Sequence, residues 1–252
     1  MEKYVQSVLL NIERGSQQPL FTELVSSIDT AYQSILAADA KHSLLYYQFL
    51  FICHKSLLSA AVCLAQGQPE DSLSISRRAI ECAKVALAIK LDKDSADKWL
   101  SFQERHERWV RRGEGEKPQR LIISYPALKG NLLAEQLNCQ LGILSDEGVH
   151  FTPEFFGNLY WVVQREPSGD GEIRLNYFHN EDKLIESNVI SLAAIHGLIL
   201  KVFDQCLAGD ISRNAKSLEA VEKFCALAKR FQLEYAAKYG TALDPSNPHN
   251  SS

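Results

Sequence analysis

The charged residues at positions 77, 78 and 81 interrupt an apolar stretch, and their spacing could build a polar site. Arg77 and Arg78 precede Glu81 by four and three residues, so both guanidinium groups can reach its carboxylate on one face of a helix. If that helix is central in the fold, the pair is partly desolvated, which often marks a binding site. The alternative is a surface ion pair of little energetic value. We therefore predict Arg77, Arg78 and Glu81 as ligand-binding candidates, with Arg78 and Glu81 also as catalytic candidates.

A second charged cluster lies near the end of another predicted helix. Arg105, Arg108 and Arg112 share one helical face, and Trp109 lies among them. Guanidinium groups bind phosphates and an aromatic ring can stack on a base, so the cluster is a candidate nucleic-acid contact. The alternative is that these cations stabilise the C-terminus of the helix while the tryptophan packs inward.

His150 is a further candidate for acid–base chemistry, and its setting also raises the question of a metal site. It belongs to Glu147-x-x-His150, the one Glu-x-x-His motif in the chain, whereas a di-iron bundle needs two such motifs and two further glutamates. The alternative is a histidine at a loop or helix end that bonds backbone groups. The chain has neither a Gly-x-x-x-x-Gly-Lys-Ser/Thr loop nor a Gly-x-Ser-x-Gly elbow. We therefore predict no metal and no cofactor.

The elements that position these residues follow from apolar spacing at the helical period. The most hydrophobic stretch, residues 44–63, predicts a central core helix. Aromatic and β-branched residues on both sides of a Pro/Ser/Gly turn predict one inserted β-hairpin at about 158–178. The predicted helices cover residues 2–14, 18–38, 42–66, 69–90, 92–111, 126–143, 183–208 and 212–239. The fold class is thus all-α, a bundle of about seven or eight helices in a single domain over 1–239, with a disordered tail over 240–252.

The bulk composition narrows the function classes. The 252 residues are 46% hydrophobic, which suits a large buried core, and the net charge of −4 does not suggest a general nucleic-acid binder. The chain shows no secretory leader pattern and no uninterrupted apolar stretch of about 18 residues, the length that spans a membrane. The six cysteines form no Cys-x-x-Cys pair and are expected to be free, buried thiols. We expect a cytoplasmic protein without membrane contact.

Two segments resemble a known group of proteins. The stretch SRRAIECAKVALAIK (residues 76–90) and the later stretch LGILSDEGVHFTPE (residues 141–154) are similar to bacterial HEPN-like all-helical proteins of unknown function. In that group an Arg-x-x-x-Glu or Arg-x-x-Glu helix is followed by a Ser-x(3–4)-His turn. The matching positions here are Arg77 or Arg78, Glu81, Ser145 and His150. The resemblance covers about residues 42–155, and Phe151 replaces the proline that usually follows the histidine. It implies a pocket between helices, where the Arg–Glu helix and the His150 turn meet.

The functional predictions follow from the same resemblance. Arg174-x-x-x-x-His179 formally matches the Arg-x(4–6)-His signature of HEPN ribonucleases, but it lies on a predicted strand where that family uses a helix. The preferred function is a HEPN-like binding module for RNA, a nucleotide or a protein, through the implied pocket or the basic segment 105–120. One alternative is a ribonuclease or phosphodiesterase that uses His150 or His179. Another is a scaffold without a catalytic site that forms a homodimer through a helix face.

Overall fold

The computed structural model describes residues 2–37, 44–101, 110–111, 113, 126–148, 160–165, 171–175, 182–207 and 209–240. Within these ranges the chain is predominantly helical, so the all-α class is confirmed. Nine α-helices lie in the described ranges: α1 (Glu2–Ser16), α2 (Pro19–Leu36), α3 (Leu44–Ala65), α4 (Pro69–Leu91), α5 (Lys93–Leu100), α6 (Leu132–Gly148), α7 (Asp182–Cys206), α8 (Asp210–Arg213) and α9 (Ala215–Tyr239).

Two short strands accompany the helices. Strand β1 (Tyr160–Arg165) pairs antiparallel with β2 (Gly171–Leu175), and the register is irregular between Val162 and Arg165. The connecting residues 166–170 and the flanking residues 149–159 and 176–181 lie outside the described residues. The inserted β-hairpin at 158–178 therefore stays a prediction as a unit.

The helix ends follow local chemistry that can be read from the sequence. Pro69 opens α4, where a proline costs no hydrogen bond, and Gly67 before it has a φ of 78° that favours glycine. The Asn214 side chain caps α9 by accepting from the backbone N–H groups of Lys216 and Ser217.

Two predicted helices need correction. The helix predicted at 126–143 begins instead at Leu132, after a 3-10 turn over Pro126–Leu128. Gly130 has a left-handed φ of 75°, and the Asn131 side chain accepts from the Ala134 N–H, so a turn and a cap separate the two segments. The helix predicted to run to residue 111 is described as α5, which ends at Leu100, and residues 102–109 lie outside the described part of the chain.

Helix α4 occupies the centre of the described core, which corrects the prediction that the stretch 44–63 does so. It packs against α3, α6 and α7, and all seven residues from 83 to 89 are buried. Alanines at four positions of α4 let the neighbouring helices approach closely; they are Ala79, Ala83, Ala86 and Ala88. Helix α3 packs on α4 along one face only and leaves large apolar residues in solvent on the other.

The buried apolar residues of the described helices form one cluster. Helix α2 lies against α3, α7 and α9, while α1 lies against α2 and α3. The end of α9 at Tyr239, followed by Gly240 with a φ of 68°, coincides with the predicted domain limit. The single domain over 1–239 and the disordered tail remain predictions, because residues 241–252 are outside the described ranges.

Two of the described helices are long and apolar enough to cross a membrane by length and composition alone. They are α3 and α7, and 44% of the apolar window in α3 and 61% of that in α7 are buried inside the protein. A core helix of a soluble protein passes the same test. The cytoplasmic location accordingly stays a prediction.

Candidate functional site

The predicted Arg–Glu pair forms on the half-buried side of α4. Arg77 Nε donates to Glu81 Oε1 over 3.2 Å, at the expected spacing of four residues. The two side chains are 28% and 32% exposed, so water screens the pair and its net stabilisation is small. The pair is thus partly desolvated, as predicted for a central helix, and it lies at the rim of the core. The ion pair with Glu81 orients the Arg77 guanidinium.

Arg78 behaves differently from its neighbour. It is exposed, and no carboxylate of the described residues forms an ion pair with it. The pKa of Cys82, one turn further along α4, is lowered mainly by the hydrogen bond between its thiol and that of Cys53, and burial of Cys82 opposes this shift. The charge of Arg78 adds to the lowering. Arg78 is thus a cation of this helix that faces solvent.

A buried lysine beneath the pair links α4 to α6. Lys84, three residues after Glu81, is only 2% exposed, and its Nζ donates to Asn138 Oδ1 over 2.5 Å. Burial lowers the pKa of Lys84, and the charge of Glu81 opposes that shift. Sequence reasoning missed this residue, although a lysine inside the apolar run 83–89 was the available signal. The contact ties the Arg–Glu helix to α6, the helix that contains Ser145.

The other predicted site residues fall outside the described part of the chain, apart from the backbone of Ser145. His150, His179, Arg105, Arg108 and Arg112 lie outside the described residues, and of Ser145 only the helical backbone is described. The implied convergence of Arg78, Glu81 and His150, the face shared by the three arginines of the basic cluster, and the roles of both histidines all stay predictions.

A buried polar network joins α2, α3 and α7, and none of its members was predicted as a site. Tyr32 Oη lies 2.8 Å from His196 Nδ1, and the Tyr32 ring stacks on His54 with a centroid separation of 5.2 Å. His54 Nε2 in turn lies 2.6 Å from Asp29 Oδ1. Asp29 is the member of the chain of contacts nearest to solvent, with 28% of its side chain exposed. The network therefore runs from the surface to the centre of the core.

Burial decides the chemistry of the inner end of this network. His196 is fully buried, which lowers its pKa to about 3, and the nearby His54 adds to the effect. Its ring is neutral at pH 7, and its Nδ1 shares a hydrogen bond with the Tyr32 hydroxyl. The other ring nitrogen, Nε2, has no partner among the described residues. Burial also raises the pKa of Tyr32 well above its usual value. Near neutral pH Tyr32 therefore keeps its proton and the neutral His196 ring does not gain one, so these two residues act as a fixed contact between α2 and α7.

The only sequence signal for the network was His54, a polar residue inside the most hydrophobic stretch. Nothing in the local sequence connects Tyr32 with His196, because the two residues are 164 positions apart. Its members belong to three helices that meet only in the folded chain.

All six cysteines are free thiols, as predicted, but their burial differs from the expectation. Cys53 and Cys206 are buried, and burial raises the pKa of Cys206 to about 12. Cys139 and Cys225 are exposed, because each lies on the outward face of its amphipathic helix. Cys53 Sγ donates to the Ala79 carbonyl over 3.4 Å, so the buried thiol serves as a small core residue.

The described residues contain no group of three or more His, Cys, Asp or Glu side chains that could hold a metal ion. No family model, curated protein or solved structure matches the chain. The resemblance to HEPN-like proteins therefore rests on the quoted residues alone and stays a prediction.

Proposed function

We propose that this chain is a HEPN-like helical binding module that holds a phosphate-bearing partner, RNA or a nucleotide, at the face of α4 that carries Arg77 and Arg78. The observation that supports this proposal most directly is the state of Arg78, which is exposed and has no ion pair among the described residues. Beside it, Glu81 holds the Arg77 guanidinium at the rim of the core. One cation is thus oriented and the other is available to a ligand.

Arginine suits this role because its planar group offers five donors that match phosphate oxygens in pairs. The whole chain carries a net charge of −4, so long-range attraction to nucleic acid is weak and affinity has to come from local contacts. In this proposal Ser145 and His150, at the positions matched by the family resemblance, complete the pocket as hydrogen-bonding groups. The lysine contact between Lys84 and Asn138 fixes α6 against α4 and supports that arrangement.

The test compares Arg78→Ala with Lys90→Ala. Both variants remove one exposed cation from α4, and the two positions are about 18 Å apart along the helix. Binding of a fluorescently labelled single-stranded RNA and of labelled ATP is measured by anisotropy at low salt. Loss of a charge-assisted contact weakens binding by about tenfold or more in Arg78→Ala. Equal affinities of the two variants for both ligands would contradict the proposal.

The ribonuclease or phosphodiesterase alternative differs in one measurable respect. An enzyme loses turnover when its acid–base residue is removed, whereas a binding module loses only affinity. Cleavage of the same RNA by the unaltered chain, abolished in His150→Ala or His179→Ala, would favour the enzyme.

The inserted β-hairpin at 158–178 is part of our proposal as an addition to the bundle, supported by the pairing of β1 with β2.

A further inference from the structure

Helix α3 presents an unusual face to solvent. Its exposed residues follow one another at intervals of 4, 3, 4, 3 and 4, which is the spacing of a coiled-coil seam. Four of the six are large and apolar and are between 42% and 69% exposed, although an amphipathic helix of a soluble bundle normally has polar residues there. The seam consists of Leu44, Gln48, Phe51, Lys55, Leu58 and Val62.

We infer that this seam is a homodimer interface, in which α3 of one copy packs antiparallel on α3 of a second copy. The inference does not depend on the proposed phosphate binding, which uses α4. It assigns a surface and an orientation to the association that the sequence predicted only in general terms.

The spacing itself favours a second copy as the partner. It reads the same in both directions, so two antiparallel copies bring every seam position against another seam position. Leu44 meets Val62 of the second copy, and Gln48 meets its Leu58. In each of these pairs, a residue at heptad position a of one copy meets a residue at heptad position d of the other, as antiparallel coiled coils require.

Charge selects the antiparallel orientation. Lys55 is the one charged residue of the seam. Parallel packing would place it directly against Lys55 of the second copy, where the two like charges repel. Antiparallel packing places it against Phe51 of the second copy, where an ammonium group over an aromatic face is favourable. The same lysine lies in the middle of the stripe, which is a poor position for insertion into a lipid bilayer.

An apolar pocket lies on the N-terminal half of the seam. It has a volume of about 440 Å³, and Leu44, Gln48 and Phe51 line it together with Trp99 from α5. In the antiparallel register, Leu58 and Val62 of the second copy lie over this pocket and can fill it. Filling such a hole is how knobs-into-holes packing gains its contacts.

The area suggests a weak dimer. A seam about 27 Å long and about 10 Å wide buries on the order of 500 Å² over both copies. Stable interfaces bury at least about 1,200 Å². Helix α1, which packs against α3, offers further exposed apolar surface at Val5, Leu9 and Leu10. We therefore expect a dimer that dissociates on dilution.

The first experiment measures the mass of the full chain by analytical ultracentrifugation over a wide micromolar range. Two variants, Phe51→Lys and Phe51→Glu, remove the same ring from an exposed position and differ only in charge sign. Opposite Lys55 of the second copy, the introduced cation repels and the carboxylate attracts. We expect the dissociation constant of Phe51→Lys to exceed that of Phe51→Glu by about tenfold or more. Circular dichroism checks that both variants keep their helices.

The second experiment tests the orientation by oxidative cross-linking. Leu44→Cys and Val62→Cys are made separately in chains in which the exposed Cys139 and Cys225 are replaced by serine. A disulfide-linked dimer that forms when the two variants are mixed, and not with either alone, supports the antiparallel register. Cross-linking of Leu44→Cys with itself would overturn that register.

Three further results would overturn the inference. The first is a chain that stays monomeric at every concentration. The second is equal dissociation constants for Phe51→Lys and Phe51→Glu. The third is a monomer that co-sediments with phosphatidylcholine vesicles through α3, lost in Phe51→Lys, which would assign the seam to a membrane surface.

Discussion

The buried histidine His196 makes the stability of this protein depend on pH in a predictable way. Burial lowers the pKa of His196 to about 3 in the folded chain, whereas an exposed histidine titrates near 6.5. Below pH 6.5 the unfolded chain therefore binds a proton that the folded chain does not, and stability falls as the pH falls. The contribution is fully present above pH 6.5 and is lost progressively between pH 6.5 and pH 3. Between pH 7 and pH 5 the free energy of unfolding falls by about 2 kcal/mol, because each pH unit below 6.5 removes about 1.36 kcal/mol.

A loss of this size is a large part of the stability of an ordinary domain, so urea unfolding can resolve it. We expect the free energy of unfolding to fall between pH 7 and pH 5 by about 2 kcal/mol more in the unaltered chain than in His196→Phe. Tyr32→Phe is the matched control, since it removes the hydroxyl that is hydrogen-bonded to His196 Nδ1 but leaves the His196 ring buried. It costs about 1–2 kcal/mol at both pH values and keeps the pH dependence.

Two results would refute this reasoning. One is an identical change of unfolding free energy between pH 7 and pH 5 in the unaltered chain and in His196→Phe. The other is a His196 ring resonance that titrates near pH 6.5 in the folded protein, measured by NMR on histidine-labelled chain. The NMR measurement also applies if His196→Phe fails to fold.

The other predictions concern single contacts between or at the ends of helices. Lys84→Met replaces the buried ammonium by an apolar group of similar volume, and Asn138 is exposed enough to bond water instead. We expect the unfolding free energy in urea to stay within about 1.5 kcal/mol of the unaltered chain, whereas Lys84→Ala leaves a cavity and costs about 2–4 kcal/mol; similar losses in both would show that the hydrogen bond dominates. Asn214→Ala removes the cap of α9 and should cost about 1 kcal/mol, with Asn214→Ser as the control that keeps an oxygen acceptor. Thermal melts in which the alanine and serine variants match would contradict this role of the cap.

Most helices of this protein could be predicted from the sequence, because the signals that define them are local. Apolar spacing identified α2, α4, α7 and α9 within a few residues, and Pro69 marked the start of α4. The same locality explains the errors. The turn at Gly130 and the cap at Asn131 were overlooked, so the start of α6 was placed six residues too early.

The candidate site was predictable only in its local part. Arg77 and Glu81 are four residues apart on one helix, and the helix alone brings them together. Their exposure was not predictable, since it depends on which neighbours cover that side of α4. The same limit applies to α3, whose composition suggested full burial although one of its faces lies in solvent.

The sequence by itself determined the helices of this protein, the faces of those helices and the pairing of residues within one turn. Tertiary structure alone decided that Tyr32 meets His196 across 164 positions, that Lys84 reaches Asn138 on another helix, and that the seam of α3 stays uncovered. The physical reason is the distance along the sequence over which each kind of contact acts. Helix geometry relates residues three or four positions apart, whereas burial and its effect on charge depend on the sum of packing contacts from distant segments.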